Sequence, residues 1–237
     1  MGRLGLIGPV IAILEIPWLI LLNLLNHFWS LWLWIGEIRR FYGNSRLLKA
    51  DLLWMMEYGL RNPFSISRQA TLQQGLPADL TVYGETPWTT LERICEMAGL
   101  SSDDVFVELG AGTGRNLLFI HYWYGARAIG YELIPRFVEK FTWLQHHLQL
   151  GGLAQMQAGN WFDADLEATG ATVLLLVGTC YSDEHLKTAA DRLSRLPSGS
   201  RILTVSYQLE GPAFEQIGEF QAAFSWGRGT VFYQKKI

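Results

Sequence analysis

The sequence has little with which to hold a nucleic acid. Over 237 residues, 22 acidic side chains outnumber 19 lysines and arginines, and the formal net charge is −3. No basic field is available to draw in a polyanion by counterion release, which argues against nucleic acid as a partner. Cysteine is scarce as well. Cys95 and Cys180 are far apart and have no metal-ligand spacing, so neither a disulfide framework nor a Cys/His metal site is expected, and both read as small apolar core residues. Internal repeats and low-complexity tracts are missing too. Charge is also missing at the front, where Glu15 and His27 are the only ionisable side chains from Leu4 to Gly36.

What fills that front is Leu, Ile and Trp, with Trp29, Trp32 and Trp34 crowded together as aromatics are at a membrane interface. The run is too long for the apolar core of a secretory signal peptide, about 7–15 residues, and no small-residue cleavage site follows it. As one straight helix it would be roughly 50 Å long against a hydrocarbon core of about 30 Å. A break is therefore expected at Pro17, with residues 18–36 as a span and 4–16 lying in the interface or folding back. An acid at the centre of a span costs on the order of 3 kcal/mol, which places Glu15 near a headgroup or a partner helix. Asn23, Asn26, His27 and Ser30 form one polar stripe. That stripe suits helix–helix packing, including a homo-oligomer, or an interfacial helix, or the wall of a lipid substrate site. Arg39, Arg40, Arg46 and Lys49 follow the segment and only Arg3 precedes it, so by the positive-inside rule the large domain faces the cytoplasm.

The expected organisation is a membrane anchor over 1–40, an amphipathic helix and linker over 41–79, and a catalytic domain over 80–237. Leu47, Leu48, Leu52, Leu53, Met55 and Met56 make the amphipathic helix, which should stop at Asn62-Pro63 and give way to a loop up to about residue 79. From residue 88 the pattern alternates: a helix over 88–98, then strands at "VFVE", "ARAIGYE", 153–158, "ATVLLLV" and "SRILTVSY", with helices between them. Alternation of this kind specifies an α/β, Rossmann-like, mostly parallel sheet with helices on both faces. Two last runs near 215–224 and 229–236, joined by "SWGRG", read as a terminal antiparallel hairpin, giving seven strands.

Between the first strand and its helix stands "VELGAGTGRN". A dinucleotide fingerprint would read G-x-G-x-x-G and aim a helix N-terminus at a pyrophosphate. Here the spacing is G-x-G-x-G, position 115 is Arg115, and Glu108 stands two residues before Gly110. A carboxylate there repels a pyrophosphate and suits an amine or sulfonium. Glu132, ending the second strand, is placed to accept both hydroxyls of a ribose. Together these features fit S-adenosylmethionine, with NAD or a non-catalytic nucleotide fold as the other readings.

The layout over about 80–237 resembles the seven-strand, class I S-adenosylmethionine-dependent methyltransferases, which end in such a hairpin. The stretch "VYGETPWTTLERICEMAGLSSDDVFVELGAGTG" resembles more closely the disruptor-of-telomeric-silencing class of lysine methyltransferases. A membrane-anchored mitochondrial and prokaryotic branch of related enzymes has a similar architecture. The resemblance implies that Tyr83, Glu85 and Thr86 close over the methionine end of the cofactor, that Glu108, Gly110 and Gly112 hold that end from below, and that Glu132 takes the ribose. Asn160 falls where the family often has an Asp that meets the adenine amine, and Trp161 where it has an aromatic; Trp161 equally suits core packing.

The departure lies at the reaction centre. The telomeric-silencing enzymes have an Asn-Asn pair after the fourth strand, and this chain has Gly178-Thr179-Cys180-Tyr181. Methyl transfer needs an in-line approach at roughly 3 Å and a neutral amine, which a low-dielectric aromatic pocket favours. Thr179 and Tyr181 are the candidates for orienting the acceptor, although Tyr181 also suits lid packing. His185, His146 and His147 read as surface helix residues, and no metal is expected. The sequence therefore points to a methyltransferase held at the membrane, with the bilayer as partner, the catalytic domain on the cytoplasmic face of a bacterial inner membrane, and a lysine of a membrane protein as acceptor. The rival acceptors are a lipid amine or a quinone, and the rival class is a cofactor-binding membrane scaffold without turnover.

Overall fold

The computed structural model describes residues 7–59 and 62–237, with side chains described from residue 21 onward except that of Asn23. The expectations for Glu15 and for Asn23 in the polar stripe therefore lie outside the described side chains, whereas the fold-back expected before Pro17 is corrected by the course of the backbone from Ile7 onward. Helix α1 runs as one piece over Ile7–Phe41, through Pro17, where a break was expected. Among the described residues no helix is long and apolar enough to cross a membrane. The span expected over 18–36 is thus not seen as such, and its C-terminal end belongs to the globular body: Leu33, Glu37 and Phe41 are buried there.

Helix α2, Ser45–Tyr58, is the amphipathic helix read from the sequence, started by Asn44, whose side chain accepts from the Arg46 and Leu47 N–H groups. The loop expected from Asn62-Pro63 onward is corrected. Helix α3 occupies Pro63–Gln74. Proline costs nothing at the first helical position, where its missing N–H would have no partner, and Asn62 caps the helix by accepting from Phe64 N at 2.9 Å. Gly75 closes it in the left-handed conformation, φ 66°. One short turn, α4 (Ala78–Thr81), then leads to helix α5, Trp88–Ala98.

The sheet contains β1 (Val105–Leu109), β2 (Arg127–Glu132), β3 (Ala154–Ala158), β4 (Val173–Val177), β5 (Arg201–Val205), β6 (Phe214–Phe224) and β7 (Gly227–Lys236). Its order is β3-β2-β1-β4-β5-β7-β6, with β7 antiparallel to both neighbours and the first five strands parallel. The α/β reading holds, including the terminal hairpin. Helices α6 (Arg115–Phe119), α7 (Pro135–His147) and α8 (Asp183–Leu193) complete it, and α6 continues into a π-helical turn over Ile120–Tyr124.

Strand periodicity sends Phe106 to one face of the sheet and Val107 and Leu109 to the other, and each face has its own core. Phe41, Leu47 and Ala50 share the first of these cores with Trp88, Leu91 and Phe119. The segment after α1 is therefore built into the body and shares its hydrophobic stabilisation. Cys95 lies buried in this core, whereas Cys180 is exposed, a correction to its reading as a core residue. It stands on the loop after β4, where the chain has left the sheet.

Candidate active site

The carboxyl ends of β1, β2 and β4 form the floor of a cleft of about 250 Å³, roofed by the segment from Asp79 to Thr86 and closed on one side by Trp226. A parallel sheet leaves such a crevice where neighbouring connections diverge to opposite faces. Tyr83, Glu85, Thr86, Glu108, Gly110, Gly112, Glu132, Thr179 and Tyr181 all line it. Asn160 and Trp161 line a smaller recess beside it, which shares Gly110, Glu132 and Tyr181 with the cleft. The structure thus brings nine of the candidate residues to one cleft and the other two to the recess beside it, although they span about a hundred positions of chain.

Glu108 is buried at the bottom. Asn116 donates its side-chain amide to Oε1 at 2.7 Å, and Oε2 has no hydrogen-bond partner. Burial, helped by the nearby Glu132 charge, pushes this carboxyl up to about 8 against the pull of the Asn116 hydrogen bond. Glu132 differs from its neighbour. Its oxygens accept from Gly112 N and Ile134 N, both at 2.7 Å, so each oxygen keeps only its remaining lone-pair site for a ribose. Burial raises it to about 7 in spite of these bonds.

Gly110 takes φ 83°, which only glycine adopts without strain, and a Cβ there would come no nearer to any atom than 4.0 Å, from the Tyr181 hydroxyl. The space beside this backbone is open for a ligand. An unpartnered acidic oxygen and a backbone with open space in place of a side chain fit the cationic amino-acid and sulfonium end of S-adenosylmethionine, and they do not fit a pyrophosphate, since the Gly110 and Ala111 N–H groups already donate to Tyr131 O.

The roof is held from both sides. The Tyr83 hydroxyl donates to Glu85 Oε1 at 2.9 Å and lies 3.4 Å from Thr113 Oγ1. Burial raises the Glu85 carboxyl, opposed by the Arg115 charge and the Tyr83 bond. Glu85 N donates to Ser225 Oγ at 2.8 Å, and Ser225 N returns a bond to Glu85 O at 3.0 Å, which clips the roof to the β6–β7 turn. Asp79 Oδ2 sits 2.6 Å from His185 Nδ1 and accepts from Ser182 N at 3.1 Å. His185 is therefore more than a surface residue: it ties the roof to the start of α8.

Trp161 is almost fully buried within the second core, and its Nε1 donates to the Tyr181 hydroxyl at 3.1 Å. The ring packs in the core, as one reading of Trp161 had it, and one edge borders the recess. Asn160 caps the following turn by accepting from Phe162 N at 3.1 Å. Thr179 Oγ1 lies 2.9 Å from Ser206 Oγ.

Sequence reasoning missed Ser206, Ser225, Trp226 and the partners of Arg115. Ser206 has φ 74°, an uncommon conformation for a serine that no sequence pattern announces. Trp226 had one signal, its place in the turn "SWGRG", but nothing in the sequence tied that turn to Gly84.

With this geometry in view, comparisons with known proteins agree. A family model described as histone methylation protein DOT1 matches residues 64–157. A curated relative from Saccharolobus islandicus (strain REY15A), described as a protein-lysine N-methyltransferase, is 28% identical over 131 residues, covering 54% of this chain and 78% of its own. Among solved structures, an RNA methyltransferase from Salinibacter ruber in complex with S-adenosyl-L-homocysteine superposes with a TM-score of 0.54 at 23% identity, covering 64% of this chain and 92% of its own. A geranyl diphosphate C-methyltransferase from Streptomyces coelicolor A3(2) does so at 0.53 and 13% identity, covering 64% and 79%.

Proposed function

We propose that the chain works as a class I S-adenosylmethionine-dependent methyltransferase and that it methylates the ε-amine of a lysine on a protein held at a membrane. The match to the Saccharolobus protein-lysine N-methyltransferase carries the lysine reading. Bound in the cleft, S-adenosylmethionine supplies an activated methyl group.

The chain's own residues do the rest. The bare Glu108 oxygen and the open space at Gly110 receive the cationic end of the cofactor, and Glu132 with Asn160 and Trp161 takes the nucleoside end. Tyr83, Glu85 and Thr86 roof the cleft and exclude water, so the charge on Glu108 acts in a low dielectric. Thr179 and Tyr181, on the loop after β4, orient the acceptor nitrogen. The same dry, aromatic surroundings disfavour an ammonium, which lets a lysine lose its proton before attack.

Support for the membrane comes from α1. Leu24, Leu25, Phe28, Leu31 and Trp32 are all exposed on it, an apolar surface far larger than scattered single residues provide. A bilayer accounts for this surface, with the catalytic body on the cytoplasmic face of a bacterial inner membrane, as the arginines after the segment suggest. Tethering there raises the local concentration of a membrane acceptor.

A second reading, a lipid amine as acceptor, is favoured by one observation. Ser30, from the polar stripe of α1, lines a small cavity that borders the cleft at Glu85 and Arg115. The deciding experiment incubates the full chain with native membranes and methyl-labelled S-adenosylmethionine, then separates protein from lipid. Label in protein, traced to lysine, supports the main reading; label in the organic phase replaces it with the lipid reading.

A further inference from the structure

Arg115, the residue that breaks the dinucleotide spacing, opens α6 directly after the glycine loop and is buried. Its guanidinium carries five N–H groups. Nε donates to Asp51 Oδ1 at 2.6 Å and Nη2 to Asp51 Oδ2 at 2.9 Å; Nη2 also donates to Glu37 Oε2 at 2.8 Å and Nη1 to Glu37 Oε1 at 3.2 Å. The guanidinium plane lies over the Trp88 ring at 4.0 Å. Burial alone would weaken its charge, but Glu37 and Asp51 hold it firmly protonated.

The two carboxylates are themselves fixed. Trp88 N donates to Glu37 Oε1 at 2.6 Å, and the Tyr42 hydroxyl donates to Asp51 Oδ2 at 2.6 Å. Glu37 belongs to α1 and Asp51 to α2, and neither lines the cofactor cleft, whereas Arg115 does. One side chain therefore joins the two N-terminal helices to the loop that bears Gly110 and Gly112. An arginine so bound from two sides has a single rotamer, and the backbone it grows from is held with it.

We propose that Glu37 and Asp51 are positioning residues for methyl transfer: through Arg115 they hold the glycine loop in its cofactor-binding form, which makes α1 and α2 part of the cofactor site. The proposal rests on S-adenosylmethionine being the ligand of the cleft. Coupling between two sites is reciprocal, so cofactor in the cleft must in turn strengthen the docking of α1 and α2.

The test uses the full chain and its Glu37→Gln and Asp51→Asn variants, each well below its own melting temperature. S-adenosylmethionine is titrated by calorimetry, and backbone hydrogen exchange over residues 37–58 is followed with and without it. The wild type should bind, and binding should slow exchange over 37–58. In the variants the dissociation constant should rise about fivefold or more, and the cofactor-induced slowing should fade. A merely structural clamp would lower the melting temperature and leave both readouts unchanged. The proposal is overturned if either folded variant binds within twofold of wild type, or if cofactor leaves exchange over 37–58 unaltered in the wild type. A wild type that does not bind at all would remove the cofactor reading itself, and the proposal with it. Should one variant fail to fold, the other and Arg115→Lys supply the same comparison.

Discussion

Asn116 donates its amide to one oxygen of Glu108 and leaves the other bare, and both residues face the cleft beneath the glycine loop. Because Glu108 is raised to about 8 and Glu132 to about 7, the empty cleft holds protons that an unfolded chain, with its carboxyls near 4.5, would release. The folded state then binds more protons than the unfolded one between those values. Stability of the cofactor-free protein should fall as pH rises from about 5 to about 8, and Glu108→Gln should flatten that slope. Denaturant titrations at several pH values measure it.

Cofactor affinity should run the other way. A cationic ligand favours ionised Glu108, so binding expels a proton below pH 8, and affinity should rise with pH by up to about tenfold per unit from 6 to 8. In Glu108→Gln the affinity should be lower and its rise with pH shallower over that range, leaving only what Glu132 contributes. Calorimetry in two buffers of different ionisation enthalpy would detect the released proton, and its absence in the wild type would refute the assignment of Glu108.

Trp226 lies so close to Gly84 that a Cβ added there would be 2.5 Å from the indole ring. Gly84→Ala should push Trp226 off the cleft wall and lower kcat/KM about tenfold, a loss of roughly 1.4 kcal/mol of transition-state stabilisation. Trp226→Ala should do similar damage, and the double variant should be no worse than the worse single one, since the two changes act through one contact. Additive losses would show that the two act separately.

Ser206 offers a way to separate strain from function. Its left-handed backbone costs a non-glycine residue about 1 kcal/mol or more, while its hydroxyl holds Thr179 at 2.9 Å. Ser206→Ala keeps the strain and loses the bond, so it should be less stable than wild type by about 1 kcal/mol. Ser206→Gly should regain most of that stability. If Thr179 orients the acceptor, turnover should drop in both variants alike, with little change in cofactor KM.

Phe28 and Trp32 are each nearly two-thirds exposed on α1. Replacing both by Asp should leave folding stability within about 0.5 kcal/mol of wild type, because neither belongs to a core. Flotation of the protein with anionic lipid vesicles should fall sharply. Undiminished flotation would locate membrane contact elsewhere in the chain.

Much of the cofactor crevice is legible in short stretches of chain. The strand from Val105 to Glu108, the turn from Gly110 to Gly114 and the acid at Glu132 follow from local rules of periodicity and backbone geometry, and they define the crevice because parallel sheets create one in that place. Tyr83, Glu85 and Thr86 rest on family likeness, since nothing in their own pattern marks a roof. At Asn62-Pro63 the local rules point both ways: a proline that ends one helix is equally suited to begin the next, and only a capped helix after it decides between the two.

The strand–helix alternation and the acidic glycine turn were settled by sequence, because each is written in neighbouring residues, whereas the course of the first helix through Pro17 was not. Tertiary packing alone decided what Arg115 does. Its partners lie 64 and 78 positions away, and it is the docking of α1 and α2 onto the glycine loop that turns three isolated charges into one buried clamp.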